Sequence, residues 1–277
     1  MSFVSSLTQI IMLTCLPPVL FGLAVWGCRQ AYCLFVGEDS GRPLILAASV
    51  LSTPLRELGH AMMAVLTFHR IEDFCLLNAY DPDGELGFVE HSYNPRNPIA
   101  VLGNFFYALG PVVTGLGAVL LVFLVCFHGV LPPFFEEIAA LGEAGAGFGA
   151  YAKAALSLIP KMFTEGDTGV LARIVGCLLL LAICFCAHIT PTELMEALWG
   201  FVVFALMAAL STGILLLFDE RVMRIALAGF RTYATVLTAL FAVVLLCSAA
   251  AVALGFAFGV LRTLFNLDGI PDDEEQR

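Results

Sequence analysis

Long apolar stretches recur along this 277-residue chain, and they constrain its fold more than any other feature. A helix needs about 20 mostly apolar residues to cross a membrane. Only 13% of the residues are charged, whereas a typical soluble domain has about 25%. The sequence therefore predicts an all-α polytopic membrane protein. The six stretches that we interpret as transmembrane helices are residues 8–28, 44–67, 99–127, 169–188, 197–218 and 233–261.

The segments between and within these stretches carry three further signals. Aromatic and aliphatic residues in 69–98 flank the D-P-D-G sequence at 81–84, a strong turn signal, so we expect a membrane-associated β-hairpin after the second span. Residues 130–166 contain two weakly amphipathic stretches, which we interpret as a connector at the membrane surface rather than a lid. The G-x-x-x-G pattern at 255–259 lies in so Ala- and Gly-rich a run that we interpret it as chance.

We interpret the whole chain, residues 1–277, as a single membrane domain. Lys and Arg are distributed almost evenly between the two sets of loops, and the weak bias places both termini outside the cytoplasm. The formal net charge of −10 repels phosphate backbones and argues against nucleic acid as a partner. Most of the nine cysteines lie in or beside apolar runs, where cysteine packs as a small hydrophobic residue.

Ionisable residues in two of the apolar stretches are the strongest pointers to function, because charges inside a membrane span are costly. They are Arg56, Glu57 and His60 in the first stretch, and His188, Glu193 and Glu196 in the second. On a helix, Arg56 and His60 are four residues apart and Glu57 shares their face. In the second stretch Pro191 breaks or kinks the helix and frees backbone carbonyl groups.

The sequence RELGHA at 56–61 is close to H-E-x-x-H, in which two histidines bind zinc and the glutamate activates a zinc-bound water. The hairpin follows it, and then come YALGPVVTG at 107–115 and PTELMEALWG at 191–200. In this order, the elements resemble the site-2 protease family of intramembrane metalloproteases over about residues 50–200. The segments GELGFVEHSYNPRNP and GNFFYALGP further resemble a bacterial membrane-protein branch of that superfamily.

The resemblance implies a protease-like core at about residues 44–200, extra helices at about 197–261 and an acidic tail at 267–277. It implies zinc as the cofactor, membrane lipids and a membrane-anchored protein substrate as partners, and a location in the bacterial cytoplasmic membrane. Glu57 becomes the general base, with His60 and Glu193 as metal ligands. A catalytic zinc needs three protein ligands, and the candidates for the third are His188 and His91.

The chain departs from the family pattern at three positions. Arg56 replaces the first metal-binding histidine, Thr114 stands where the family has an asparagine near the substrate, and Glu193 stands for an aspartate. A guanidinium is always charged and opposes a divalent cation nearby. The alternative without metal pairs Arg56 with Glu57, Glu193 or Glu196 in a buried charge network that includes His60 and His188. Asn104 either bonds to the backbone in the cleft or caps the third span.

Three functional hypotheses follow. The first is an intramembrane metallopeptidase in which Glu57 activates a zinc-bound water against a substrate strand added along the hairpin. The second is a catalytically inactive relative that binds a partner or a small ligand in the same cleft. The third is a small transporter, because polar residues in broken helices also mark transport pathways.

Overall fold

A computed structural model of the protein describes residues 2–37, 41–78, 86–166, 168–218 and 220–265. The predicted turn at 81–84 and the acidic tail at 267–277 lie outside these residues. The elements of the described part are α1 (Phe3–Val36), α2 (Arg42–Ser49), α3 (Ser52–Leu66), β1 (Arg70–Cys75), β2 (Phe88–Ser92), α4 (Pro98–Cys126), α5 (Leu131–Glu143), α6 (Phe148–Thr164), α7 (Val170–Ala182), α8 (Pro191–Glu196), α9 (Leu198–Phe218) and α10 (Glu220–Leu264).

Four helices, α1, α4, α9 and α10, are long and apolar enough to cross a membrane. They correspond to the first, third, fifth and sixth predicted spans. The only sheet in the described part of the chain is the antiparallel pair of β1 and β2, in which Cys75 lies opposite Phe88. The protein is thus a predominantly helical membrane protein with a small β-structure beside its bundle.

The second and fourth predicted spans are not continuous helices. The second is divided into α2 and α3, because Pro54 has no N–H to donate to the carbonyl of Val50 four residues earlier. The fourth ends at Ala182, and the buried stretch 183–189 that follows is not helical. Helices of 15 and 13 residues reach only about 20 Å, short of the hydrocarbon thickness of about 30 Å.

Helices α1 and α10 run parallel along most of their length. Near their starts Ile10 packs with Met223, and in the middle Phe21 stacks on Phe241 with ring centroids 5.5 Å apart. At their ends the Arg262 guanidinium donates a 2.8 Å hydrogen bond to the carbonyl of Val36, the last residue of α1. The start of α1 and the end of α10 therefore lie at opposite ends of the bundle. The expectation that both termini lie outside the cytoplasm concerns the membrane and stays a prediction.

The G-x-x-x-G pattern of α10 lies in close contact with α1. A Cβ at Gly255 would lie 2.9 Å from the Tyr32 ring, and a Cβ at Gly259 would lie 2.5 Å from the carbonyl oxygen of Phe35. The interpretation of the pattern as chance is therefore wrong. Small residues at these two positions let the backbones approach, as they do in other membrane helix pairs.

Helices α3 and α4 also approach closely, and they position the polar residues. Gly59 and Gly110 face each other, and a Cβ on either would clash with the other's backbone carbonyl. The Thr114 hydroxyl donates a 2.8 Å hydrogen bond to the Leu55 carbonyl across the same contact. The charged face of α3 is therefore held against the middle of α4.

Candidate functional site

A cavity of about 740 Å³ lies between α3, β2 and the start of α8. It is lined by Arg29, Ser52, Thr53, Arg56, Glu57, His60, residues 86–91, Tyr107, Phe185, His188, Thr190, Glu193 and Glu196. Phe185, His188 and Thr190 of the non-helical stretch 183–190 line this cavity, which is where irregular backbone is tolerated in membrane proteins. The two stretches that carry ionisable residues thus face the same space.

Arg56 connects those two stretches. Its guanidinium donates through Nη1 to Glu57 Oε1 and through Nη2 to Glu193 Oε1. The Arg56, Glu57 and Glu193 side chains are 17%, 2% and 11% exposed. Because such charges are stable inside a protein only when paired, this triad has the form of the charge network that the sequence offered as its alternative without metal.

His60 completes the network. Its Nδ1 lies 3.1 Å from the Tyr107 carbonyl oxygen, and its Nε2 lies 3.1 Å from Glu193 Oε1. Since a carbonyl only accepts hydrogen bonds, Nδ1 is the donor in the contact with Tyr107. His60 and Glu193, 133 positions apart in the sequence, are therefore in direct contact, as the protease resemblance requires.

The sequence T-P-T-E explains how Glu193 is held. The Thr190 hydroxyl accepts a 3.2 Å bond from the Glu193 N–H, and Glu193 Oε2 accepts a 2.9 Å bond from the Thr190 N–H. This is a capping box at the start of α8. It fixes Oε2 and directs Oε1 at Arg56 and His60. The spacing of threonine and glutamate is visible in the sequence and is the signal that could have placed a helix start here.

The electrostatic surroundings of Glu193 keep it ionised. Burial alone favours the neutral acid and raises the pKa of Glu193. The adjoining His60 and Arg56 side chains outweigh burial and lower this pKa from 4.5 to about 2. The carboxylate is therefore a permanent anion at physiological pH.

Two of the predicted metal ligands contact other groups. His188 Nδ1 lies 2.6 Å from the carbonyl of Phe185, so this histidine bonds within its own turn and outside the Arg56 network. The His91 ring stacks between Tyr107 and His69, with centroid distances of 4.0 Å and 4.9 Å. Both histidines line the cavity.

The remaining predicted residues have separate positions. Glu196 lines the cavity and is exposed, and it forms no ion pair with Arg56 in the described structure. Asn104 is buried in α4, where its side chain lies near His91. Thr114 bonds to backbone carbonyls and joins α4 to α3. None of these three belongs to the triad.

A column of rings beside the cavity could not be found by pattern alone. His60, Tyr107, His91, His69 and Tyr93 follow one another at centroid distances of 4.4, 4.0, 4.9 and 5.0 Å. The Tyr107 hydroxyl also donates a 2.9 Å bond to the Val89 carbonyl. These residues come from α3, α4 and the hairpin, and no sequence spacing relates them.

The donor set does not fit a catalytic zinc. Within the described residues, no group of three or more His, Cys, Asp or Glu side chains is placed to hold a metal ion. His60 and Glu193 supply two donors, but the position beside them is occupied by the Arg56 guanidinium, which cannot ligate a cation. A catalytic zinc needs a third protein ligand there.

No protein-family model, curated protein or solved structure matches the chain. The function is therefore argued from the geometry of the site itself.

Proposed function

We propose that this protein is a site-2-protease-like protein of the bacterial cytoplasmic membrane that binds an extended segment of a membrane-anchored protein without hydrolysing it. One observation carries the proposal. The Arg56 guanidinium holds both carboxylates that hydrolysis would need, Glu57 as the base and Glu193 as a ligand. A carboxylate held in this way is not available to activate water or to coordinate zinc.

The position of the hairpin supports an extended polypeptide as the bound group. Residues 86–91, which include most of β2, line the cavity. Within the described residues β2 pairs with β1 alone, so its other edge has no strand partner. An edge strand can accept one more strand through main-chain hydrogen bonds.

Polar and charged side chains make up much of the cavity lining. Such a lining suits the main-chain groups of a peptide better than it suits a lipid tail, because peptide N–H and C=O groups need partners away from bulk water. The partner chemistry that fits is therefore a polypeptide segment that leaves helical form at the membrane.

Site-specific photo-crosslinking tests the proposal. We would replace Phe88 of β2, which lines the cavity, by p-benzoylphenylalanine, and use Phe74 of β1, an exposed residue outside the cavity lining, as the matched control. We expect irradiated native membranes to give, at Phe88 only, adducts that mass spectrometry maps to one recurrent uncleaved segment beside a membrane span. Adducts with lipid alone, or equal adducts at both positions, would contradict the proposal.

The metallopeptidase hypothesis, with Glu57 as the base, predicts a different outcome of the same experiment. The crosslinked partner would then be recovered as a cleavage product, and Glu57→Gln would restore the uncleaved form. The transporter hypothesis predicts solute flux in liposomes and no recurrent peptide adduct.

A further inference from the structure

We infer that the Arg56 guanidinium is a built-in cation in the place that the protease resemblance assigns to a metal ion, so that the native residues at positions 56, 60 and 193 do not fit zinc. The role of Arg56 can be tested on the purified chain alone, so the result does not depend on whether a partner protein binds.

The backbone already has the geometry of a two-histidine zinc helix. Positions 56 and 60 lie four residues apart on α3, the spacing at which two side chains on one helix face bind the same ion. The Arg56 and His60 side chains both reach the same oxygen, Glu193 Oε1. The Arg56 and His60 side chains thus meet at one carboxylate oxygen.

Further hydrogen bonds fix the orientation of His60 and Glu193, as is usual for metal ligands. The Tyr107 carbonyl accepts a hydrogen bond from His60 Nδ1, and His60 Nε2 faces Glu193 Oε1. The Thr190 N–H holds Glu193 Oε2. Outer hydrogen bonds of this kind fix the tautomer and the ring orientation of a metal-binding histidine and orient a carboxylate ligand.

The site also requires a cation. His60 Nε2 is buried and lies 3.1 Å from Glu193 Oε1. Two buried carboxylates, Glu57 and Glu193, converge beside it. Two carboxylates this close and this buried are stable only around positive charge. Arg56 provides one such charge, and a divalent ion bound in its absence would provide two.

Arg56→His tests the inference in the full-length chain purified in detergent or nanodiscs. We expect the native protein to lack stoichiometric zinc after zinc-supplemented expression and Arg56→His to bind one zinc per chain, measured by atomic emission. The melting temperature of Arg56→His should rise with zinc concentration and fall again with a chelator. Arg56→Gln is the size-reducing control without an imidazole. Adding Glu193→Gln to Arg56→His should weaken zinc binding by about tenfold or more.

A folded Arg56→His protein that neither binds zinc nor gains stability from it would overturn the inference, as would stoichiometric zinc in the native protein. If Arg56→His does not fold, variants that also neutralise Glu57 and Glu193 test whether the guanidinium is the required cation. Arg56→Met alone should abolish folding, whereas Arg56→Met combined with Glu57→Gln and Glu193→Gln should restore it. If Arg56→Met alone is as stable as the native chain, or the triple variant is no better than Arg56→Met, the guanidinium is not the required cation.

Discussion

Among single residues, Glu193 has the most demanding role, because both of its carboxylate oxygens are engaged. Oε2 closes the capping box with Thr190, and Oε1 faces Arg56 and His60. Glu193→Gln leaves a largely buried guanidinium with one anion, and we expect it to lower the free energy of unfolding by about 3 kcal/mol. Thermal or denaturant unfolding in detergent measures the loss. Glu196→Gln, in the same cavity but outside the triad, should change stability little.

The lowered pKa of Glu193 gives this contribution a defined pH dependence. A carboxyl group whose folded-state pKa lies below its unfolded-state value stabilises the fold at high pH, because the unfolded state binds the proton more readily. With a pKa of about 2 when folded and 4.5 as the ordinary value, the full contribution is present above about pH 5. It should disappear as the pH falls from about 4.5 towards 2.

The stability difference between the native protein and Glu193→Gln should therefore be constant from pH 7 to about pH 5 and shrink on further acidification. Melting temperatures of both proteins across this range are the measurement. A difference that grows as the pH falls would show that Glu193 is neutral in the folded protein.

For single residues, the sequence predicts contacts well between residues of the same helix and poorly between residues of different elements. The spacing of Arg56, Glu57 and His60 on one helix face follows from helical geometry alone. Their contact with Glu193 was expected from the family resemblance and, without metal, as one of three possible carboxylate partners of Arg56. The non-helical stretch 183–190 separates α7 from α8 and sets which side of Glu193 faces α3. His188, the predicted ligand within that stretch, bonds to its own turn instead.

At the scale of elements, Tyr107 joins the hairpin to the helical bundle. Its hydroxyl donates to the Val89 carbonyl, and its ring packs against His60 and His91. Tyr107→Phe removes the hydrogen bond and keeps the rings, so we expect the hairpin to open more easily by about 1 kcal/mol. Hydrogen exchange of the β2 amides should quicken roughly fivefold. Tyr93→Phe, at the exposed end of the column, is the control and should leave the β2 exchange unchanged.

The contact of α10 with α1 gives a second prediction for elements, with a control in the same helix. A Cβ at Gly259 would lie 2.5 Å from a backbone oxygen of α1, which cannot move away without parting the helices, whereas Gly229 has no atom within 4 Å of its added Cβ. We expect Gly259→Ala to destabilise the protein by about 2 kcal/mol. Gly229→Ala should be neutral or stabilise it by up to about 1 kcal/mol through helix propensity.

Thermal unfolding of the two alanine variants, purified in the same detergent, decides this point. Equal stability of the two proteins would mean that α1 and α10 do not approach at Gly259. The sequence contained the G-x-x-x-G pattern but could not rank it, because an Ala- and Gly-rich helix offers many small-residue pairs. The structure shows that Tyr32 and Phe35 of α1 face the two glycines. This contact identifies the pattern as a helix-packing site, and it is not visible in the sequence of α10 alone.

Hydropathy located the long helices at the scale of the whole molecule but not the interruptions between them. A window average treats 44–67 and 169–188 as spans, because it does not register a missing hydrogen bond at Pro54 or a buried non-helical stretch after Ala182. The count of six and the orientation of the termini both depended on these two segments. A weak Lys and Arg bias does not fix the orientation, since it assigns sides only once the number of crossings is known.

The parallel arrangement of α1 and α10 gives the last prediction, which concerns the whole molecule. If two parallel neighbours both cross the bilayer, the start of α1 and the end of α10 emerge on opposite sides. A chain carrying one epitope tag before Phe3 and a different tag after Phe265 should therefore lose one tag to protease in right-side-out vesicles and the other in inverted vesicles. Permeabilised vesicles, in which both tags should be cut, provide the control. Loss of both tags from the same face would contradict the parallel crossing and agree with the sequence expectation that both termini lie on one side of the membrane.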